Sequence, residues 1–295
     1  MKLTGLVPAV LTPFGAAGEL NLAAVGPFAA QLRGDGLRTV FVAGTTGECS
    51  SLTLAERLAL TERWANVGGL KVVAHVGSNC VADSRALAAD AERVGCAAVA
   101  MLAPSYFKPK TLADLIECCA AVASASPRTP FYFYDIPSMT GVSFPMADFL
   151  ELAADRIPTL AGLKFTNPDL TTFQRLLRVR NGKFDVLWGT DEYLLAALAL
   201  GGAGAVGSTY NLAAPLFHKV IAAFAAGDLA ASRDHQYRAV RLIGKLFEYG
   251  HIAACKEAVR ARGVDLGGVR LPLANLTPDS AAALRRELDA LEFGR

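Results

Sequence analysis

The segment Leu160-Ala-Gly-Leu-Lys164-Phe-Thr166 is a short apolar run that stops at a turn signal, Asn167-Pro168. A run of this length with turn residues beside it is typical of a buried β-strand. Seven similar runs occur at intervals of about 30 residues, and each is followed by a longer amphipathic stretch. The eight predicted strands are 6–11, 39–42, 72–76, 98–102, 131–135, 159–164, 186–188 and 203–207.

Eight strand-then-helix units in succession predict an α/β protein with the architecture of a (β/α)8 TIM barrel. The helix after the second strand begins with a capping box, Thr53-Leu-Ala-Glu56, and its predicted apolar face carries Leu54, Leu58, Thr61 and Ala65. Beyond the last strand, helices are predicted near 212–226, 228–249, 250–262 and 278–290. We therefore predict a barrel over residues 1–226 and a C-terminal helical extension over 227–295, packed together as one structural unit.

The composition excludes several classes of protein. The chain has 295 residues, of which 53% are apolar and 19% charged, so a large core is available and disorder is not expected. The net charge of +2, without a long basic tract, predicts no nucleic-acid partner. Neither a signal peptide nor an uninterrupted membrane-spanning run is recognisable. Six cysteines without paired spacing are typical of free thiols in a reducing compartment, and we predict a cytoplasmic protein.

The active site of a (β/α)8 barrel lies at the C-terminal ends of its strands. In this chain those ends carry hydroxyl groups, phenols, carboxylates and a single lysine. The side chains are Thr45 and Thr46 after the second strand, Tyr106 after the fourth, Tyr134 in the fifth, Lys164 and Thr166 after or within the sixth, Asp191 and Glu192 after the seventh, and Ser208 after the eighth. Their convergence predicts one polar site at this end of the barrel.

Lys164 differs from the other eight lysines because it ends an apolar strand. Two interpretations are open: a strand-end lysine whose amine reaches water, or a partly desolvated amine that attacks a carbonyl carbon. The hydroxyl groups predicted around it favour the second interpretation. Tyr134 either packs among the aromatic residues that precede it or, if its hydroxyl faces Lys164, carries protons for the reaction.

Three further sequence features concern the ligands that the protein could bind. Gly44-Thr-Thr-Gly-Glu48 is either an ordinary turn or, after a barrel strand, a set of hydroxyl and N–H groups suited to a carboxylate. Gly202-Ala-Gly204-Ala-Val-Gly207 matches the dinucleotide fingerprint, but a helix precedes it and the predicted strand lies within it, so we predict no nucleotide cofactor. The four histidines lack metal-ligand spacing, which predicts no metal site; His75 is expected in the core, and none is expected to carry protons.

Three of these motifs together resemble the pyruvate-dependent aldolase family that includes N-acetylneuraminate lyase and dihydrodipicolinate synthase. They are Gly44-Thr-Thr-Gly-Glu48, the Tyr-x-x-Pro segment from Tyr134 to Pro137, and Gly-Leu-Lys164. The resemblance extends over nearly the whole chain, from Gly5 to Pro272. It implies a (β/α)8 barrel with a C-terminal helical extension, assembled as a homotetramer.

Two features favour the lyase branch of the family. The synthase branch typically has an arginine two residues beyond the proline of the tyrosine motif, whereas this chain has Met139. The segments Gly189-Thr-Asp191-Glu192 and Gly207-Ser208-Thr-Tyr-Asn211 are similar to those with which sialic acid lyases hold a polyhydroxylated tail. Asp135 stands where many relatives have asparagine or histidine, which leaves the fine choice of substrate open.

The resemblance implies a role for each residue of the predicted site. Lys164 would form a Schiff base with a 2-keto sugar acid, Tyr134 would move protons, Thr45 would relay them, and Tyr106 would reach into a neighbouring subunit's site. Substrate would be held by Thr45, Thr46 and the Gly47 amide at its carboxylate, and by Thr166, Gly189, Asp191, Glu192 and Ser208 at its hydroxyls.

The expected reaction is reversible cleavage of N-acetylneuraminate to pyruvate and N-acetylmannosamine, without a metal or an organic cofactor. Three alternatives remain open at this point. They are an aldolase or dehydratase for another 2-keto-3-deoxy sugar acid, 4-hydroxy-tetrahydrodipicolinate synthase, and a sugar-acid-binding homologue without catalysis.

Overall fold

A computed structural model describes residues 2–291 and contains one eight-stranded parallel sheet with the neighbour order β1-β8-β7-β6-β5-β4-β3-β2. The sheet curls until β1 and β2 meet, where Ala9 pairs with Phe41 and the Val10 N–H donates to the Phe41 carbonyl at 2.9 Å. This closure confirms the (β/α)8 barrel. The strands are β1 (Gly5–Pro8), β2 (Thr39–Val42), β3 (Lys71–His75), β4 (Ala98–Leu102), β5 (Phe131–Asp135), β6 (Leu160–Phe165), β7 (Asp185–Trp188) and β8 (Gly204–Gly207).

Helices follow the strands around the outside of the barrel, and further helices follow β8. The helices within the described residues are α1 (Val25–Gly34), α2 (Leu54–Ala65), α3 (Val81–Arg93), α4 (Leu112–Ala123), α5 (Pro137–Thr140), α6 (Met146–Arg156), α7 (Leu170–Leu176), α8 (Leu194–Ala199), α9 (Tyr210–Ala225), α10 (Leu229–Glu248), α11 (Ile252–Ala261) and α12 (Pro278–Ala290). The predicted boundary at residues 226/227 falls in the turn between α9 and α10, and the division at that point stays a prediction. Residues 1 and 292–295 of the two predicted segments lie outside the described residues.

The start of α2 agrees with the sequence, but its buried face agrees only in part. The capping box between Thr53 and Glu56 is present. The predicted apolar face is correct in part: Leu54 and Leu58 are half-buried and pack against the core, whereas the fully buried residues are Arg57, Leu60, Thr61 and Trp64. The guanidinium of Arg57 reaches inward and donates to the backbone carbonyls of Gly77 at 2.8 Å and His75 at 2.7 Å. With Arg57 included, the buried face of α2 is shifted by about one residue from the predicted apolar face.

Alternation along the strands builds two apolar layers. One layer fills the space between strands and helices, and the smaller one fills the barrel interior with residues such as Val7, Phe41 and Tyr132. The Tyr132 hydroxyl donates to Asp185 at 2.9 Å inside this layer. The barrel interior is therefore filled with side chains, and a site at the C-terminal ends of the strands lies above this layer. No helix among residues 2–291 combines the length and the apolar character needed to cross a bilayer.

A buried ion pair ties the C-terminal extension to the barrel. The Lys256 amine on α11 lies 2.7 Å from the Glu48 carboxylate, and both side chains are almost completely shielded from water. The second carboxylate oxygen of Glu48 accepts the Arg270 backbone N–H at 2.9 Å. Lys256 also donates to the Gly268 carbonyl. Because Glu48 ends the loop that follows β2, this pair holds that loop in place from the side of the extension.

Replacing Lys256 with methionine should lower the free energy of unfolding by about 3–5 kcal/mol, because the Glu48 carboxylate would remain buried without its cation. Urea denaturation followed by circular dichroism measures the change. The matched control is Arg156→Met, which breaks an exposed pair with Glu117 and should cost less than about 1 kcal/mol. Equal costs for the two variants would contradict the structural importance of the buried pair.

Candidate active site

A cavity of about 460 Å³ opens at the C-terminal ends of the strands, in the position expected for a (β/α)8 barrel. Nine of the eleven predicted site residues line it: Thr45, Thr46, Tyr134, Lys164, Thr166, Gly189, Asp191, Glu192 and Ser208. Gly47 and Tyr106 do not line it. The structure therefore brings most of the predicted set into one enclosed space, although the residues come from loops and strands far apart in the sequence.

Lys164 lies at the C-terminal end of β6, beside Tyr134 of β5 and Leu187 of β7. Its side chain is buried, and its amine lies 3.9 Å from the centroid of the Tyr134 ring and 4.3 Å from that of Phe41. Among the described residues, no carboxylate forms an ion pair with it. An amine in an aromatic enclosure, unpaired with an acid, is chemically able to react with a carbonyl carbon.

The hydroxyl of Tyr134 points toward the loop after β2. It lies 3.3 Å from the hydroxyl of Thr45, and either group can donate. The Tyr134 ring also packs edge-on against Phe41 and His75, as the first interpretation expects, and the residue lines the cavity. Its role as a proton carrier stays a prediction. A phenol next to an amine and a second hydroxyl can give its proton to a bound molecule and, as a phenolate, take a proton back.

The loop after β2 is built around Gly47. A Cβ at this position would lie 3.0 Å from the Val10 carbonyl, and the Gly47 carbonyl accepts the Thr12 hydroxyl at 2.6 Å. Gly47 is therefore buried under the loop, which explains why it does not line the cavity. Within residues 2–291, the backbone N–H groups of Thr46 and Gly47 donate to no backbone carbonyl. Two such free N–H groups next to a hydroxyl suit a carboxylate ligand.

The loops after β7 and β8 form the acidic part of the cavity. Asp191 is buried, and its Oδ2 accepts the Thr209 backbone N–H at 2.9 Å. Burial raises the pKa of Asp191 to about 6. Its Oδ1 has no partner within the described chain. A Cβ at Gly207 would overlap this oxygen, so glycine is required for the carboxylate to lie against β8.

A second close approach occurs at Gly189, where a Cβ would overlap the hydroxyl of Thr166. The Thr166 hydroxyl is buried and, within the described chain, has no hydrogen-bond partner. Buried polar atoms are almost always paired in native proteins. The oxygens of Thr166 and Asp191, both residues of the cavity lining, are therefore available to hydrogen-bond with a polar ligand.

Asp135, next to Tyr134 in β5, is buried although it does not line the cavity. Burial raises the pKa of its carboxyl to about 7, and the nearby Asn167 amide only partly opposes the shift. In the folded protein the carboxyl therefore holds a proton between about pH 4 and pH 7, whereas in the unfolded chain it loses that proton near pH 4. This carboxyl makes the free energy of unfolding fall as the pH rises through that window.

Asp135→Asn should remove this pH dependence, because the amide cannot ionise. The stability of the variant relative to the parent should rise by a few kcal/mol between about pH 4 and pH 7 and stay level above it. Denaturation at a series of pH values measures the difference. Asp155→Asn is the control, since the Arg180 guanidinium beside Asp155 lowers the pKa of that exposed carboxyl. The stability of this variant relative to the parent should therefore fall, not rise, as the pH increases. Parallel pH curves for parent and Asp135→Asn would contradict the assignment.

Several residues that line the cavity were not predicted from the sequence, and His251 is one of them. His251 lines the cavity, and its Nε2 lies 3.0 Å from the Ser208 hydroxyl. It precedes α11 in the extension, so a search of strand ends cannot find it. His75, in contrast, is the hydrogen-bonded core histidine that was predicted, with its Nδ1 2.8 Å from the Ala43 carbonyl.

Tyr106 lies outside the cavity of its own chain. Its side chain is 80% exposed and packs edge-on against Phe107, which is 87% exposed. The predicted contact with a neighbouring subunit is not tested by a single chain. Among residues 2–291, no cluster of three or more histidine, cysteine, aspartate or glutamate side chains could hold a metal ion.

Comparison with known proteins agrees with this geometry. The sequence profile of the dihydrodipicolinate synthetase family matches residues 2–291. This chain belongs to that family. Among its curated relatives, the N-acetylneuraminate lyase of Mus musculus is 38% identical in an alignment of 299 positions that covers 99% of this chain and 93% of the mouse protein.

Two solved structures of the family are similar over essentially their whole length. The N-acetylneuraminate lyase of Proteus mirabilis superposes with a TM-score of 0.97 at 39% identity, covering 99% of this chain and 100% of that one. The N-acetylneuraminate lyase (sialic acid aldolase) of Aliivibrio salmonicida superposes with a TM-score of 0.98 at 39% identity, covering 100% of this chain and 99% of that one. These likenesses extend across barrel and extension alike.

Proposed function

We propose that this protein is an N-acetylneuraminate lyase, a class I aldolase that cleaves N-acetylneuraminate reversibly to pyruvate and N-acetylmannosamine. The observation that carries the proposal is a single cavity shared by an aromatic-enclosed amine, a phenol and two carboxylates, namely Lys164, Tyr134, Asp191 and Glu192. Relatives that are 38–39% identical over almost the full chain are N-acetylneuraminate lyases. Chemistry and relationship therefore support the same reaction.

The reaction begins with attack of the Lys164 amine on the C2 ketone of the open-chain sugar acid. Tyr134 gives its phenol proton to the departing hydroxyl, so loss of water leaves a protonated Schiff base, which is an electron sink, and a Tyr134 phenolate. The phenolate then accepts the proton of the C4 hydroxyl, the C3–C4 bond breaks, and its electron pair forms an enamine. N-Acetylmannosamine leaves as the aldehyde. Protonation of the enamine at C3 and hydrolysis of the imine release pyruvate and the free amine.

Carboxylate binding is assigned to the loop after β2. The hydroxyls of Thr45 and Thr46 are supported in this role because both residues line the cavity together with Lys164. The N–H groups of Thr46 and Gly47 are supported because, among the described residues, they donate to no backbone carbonyl. Thr45 also contacts the Tyr134 hydroxyl, which suits it to relay protons. No metal ion and no organic cofactor enters this mechanism.

The polyol tail is assigned to the polar residues at the ends of β6, β7 and β8. Asp191, Glu192 and the Gly189 backbone supply acceptors for sugar hydroxyls, and Thr166 and Ser208 supply hydroxyl groups. Two carboxylates in this region disfavour a substrate that carries a second negative charge. Met139 supports the same choice, since it lines the cavity where a synthase would offer a cation to a second carboxylate.

Assembly and location are part of the proposal. We infer a homotetramer in which Tyr106 reaches a neighbouring subunit's site, and the exposed aromatic pair Tyr106 and Phe107 supports a contact at that point. We also infer a cytoplasmic location, which suits the six free cysteines.

A substrate panel tests the function. Pyruvate release should be fastest with N-acetylneuraminate and at least about tenfold slower with 2-keto-3-deoxygluconate, which lacks most of the tail. Pyruvate with aspartate semialdehyde should give no dihydrodipicolinate product. Faster turnover of the shorter acid would assign the protein to another sugar-acid aldolase. Tight binding of N-acetylneuraminate without release of pyruvate would instead indicate a binding protein.

A further inference from the structure

His251 is held in an unusual backbone conformation at the edge of the cavity. It follows Gly250 in the turn between α10 and α11 and has φ 33° and ψ −75°. Its N–H donates to the Leu246 carbonyl at 2.7 Å, and its ring stacks on Phe247 with centroids 4.3 Å apart. A positive φ at a residue other than glycine is costly and persists where the structure requires a particular side-chain position.

That position brings the His251 ring to Ser208. The Nε2 atom lies 3.0 Å from the Ser208 hydroxyl, while Nδ1 is buried and has no partner within the described chain. Burial lowers the pKa of His251 to about 4, so the ring is neutral near pH 7 and carries one N–H. A buried N–H without an acceptor is rarer than a buried lone pair without a donor. The proton therefore belongs on Nε2, which donates to Ser208.

This tautomer determines what Ser208 can offer a ligand. Its oxygen accepts from His251, and its own proton is free, because no other hydrogen bond to this hydroxyl occurs among the described residues. Asp191 and Glu192, in the same cavity, can only accept when ionised. Ser208 thus supplies a donor in the same cavity as two carboxylates that accept.

We propose that His251 is a positioning residue for substrate specificity, which directs the Ser208 hydroxyl proton toward an oxygen of the substrate's polyol tail. A polyol fits this pattern because its hydroxyls donate to the carboxylates while one of them accepts from Ser208. The inference rests on the proposed function and adds a residue from the extension to the recognition of the tail.

A double-mutant cycle on KM tests the inference. His251→Phe keeps a ring that can stack on Phe247 but removes the donor, and Ser208→Ala removes the group it positions. Each single change should raise the KM for N-acetylneuraminate about 3- to 10-fold, the cost of one neutral hydrogen bond, with little change in kcat. The double variant should show no further rise. Additive effects in the double variant, or a wild-type KM in His251→Phe, would overturn the inference.

Two measurements separate this role from a structural one. His251→Gln should keep most of the affinity, since its amide nitrogen can take the place of Nε2 as a donor. The concentration of pyruvate needed for half-maximal borohydride trapping should be the same in every variant, because pyruvate has no tail. If the parent enzyme fails to cleave N-acetylneuraminate, the proposed function fails, and this inference fails with it. If the parent cleaves it and the cycle is additive, only this inference fails.

Discussion

Replacing Lys164 with methionine should reduce the rate of pyruvate release on the order of 10⁶-fold, the usual consequence of removing a covalent nucleophile. The change leaves Tyr134, Thr45 and the cavity in place, but without an amine no Schiff base forms and the C3–C4 bond has no electron sink. The measurement is pyruvate release from N-acetylneuraminate at saturating substrate, compared with the parent enzyme at matched concentration.

The same variant should fold at least as well as the parent. The Lys164 amine is buried against two aromatic rings and, among the described residues, has no carboxylate partner, so methionine removes a desolvated polar group without leaving another one unpaired. Its thermal midpoint should be equal or higher. The control is Lys183→Met, an exposed lysine before β7 at the other end of the barrel, which should keep full activity. Pyruvate release from Lys164→Met at more than a few per cent of the parent rate would exclude the mechanism.

Replacing Tyr134 with phenylalanine should lower kcat about 10²- to 10⁴-fold, the usual range for a lost acid–base group. The phenyl ring can still pack against Phe41 and His75, so the cavity keeps its shape while losing the hydroxyl next to Thr45. Formation of the pyruvate adduct on Lys164 should remain detectable, since the amine is intact. Steady-state rates and borohydride trapping together measure the two effects.

Tyr132→Phe is the matched control for that experiment. Tyr132 lies two residues earlier on β5, in the interior layer, and its hydroxyl donates to Asp185 rather than to a cavity residue. Removing this hydroxyl should lower the free energy of unfolding by about 1–3 kcal/mol and leave kcat nearly unchanged. A rate close to that of the parent in Tyr134→Phe, or an equal loss in both variants, would remove Tyr134 from the mechanism.

The barrel could be predicted because its signal is repeated eight times. The strands Thr39–Val42, Ala98–Leu102 and Phe131–Asp135 were predicted with the bounds that the structure gives them. Buried parallel strands are continuous apolar runs, and turn residues end them. The first strand was placed too late, because Val10 and Leu11 are apolar like strand residues but lie in the loop that leads away from the barrel.

The site could be predicted where it depends on strand ends. Lys164, Tyr134 and the residues after β7 and β8 line one cavity because parallel strands bring their C-terminal ends together. The direction in which an individual side chain points could not be predicted in the same way. Glu48 belongs to the same loop as Thr45 and Thr46, yet its positive φ turns the carboxylate away to Lys256.

His251 illustrates what a strand-based search leaves out. It comes from the turn between two helices of the extension, and its ring reaches the cavity only because those helices pack across the barrel end. A glycine followed by a histidine between two amphipathic helices is a weak signal in the sequence. Its role depends on a contact with Ser208, 43 positions away along the chain, and a local sequence pattern cannot predict a contact between residues so far apart.

The central claim is covalent catalysis by Lys164 on N-acetylneuraminate, and peptide mapping after borohydride reduction tests it most directly. The parent enzyme is incubated with N-acetylneuraminate, reduced and digested, and the labelled peptide is identified by mass spectrometry. We predict one pyruvate-derived label, on Lys164, together with free N-acetylmannosamine in solution. A label on another lysine, or N-acetylmannosamine released without any label, would contradict the account.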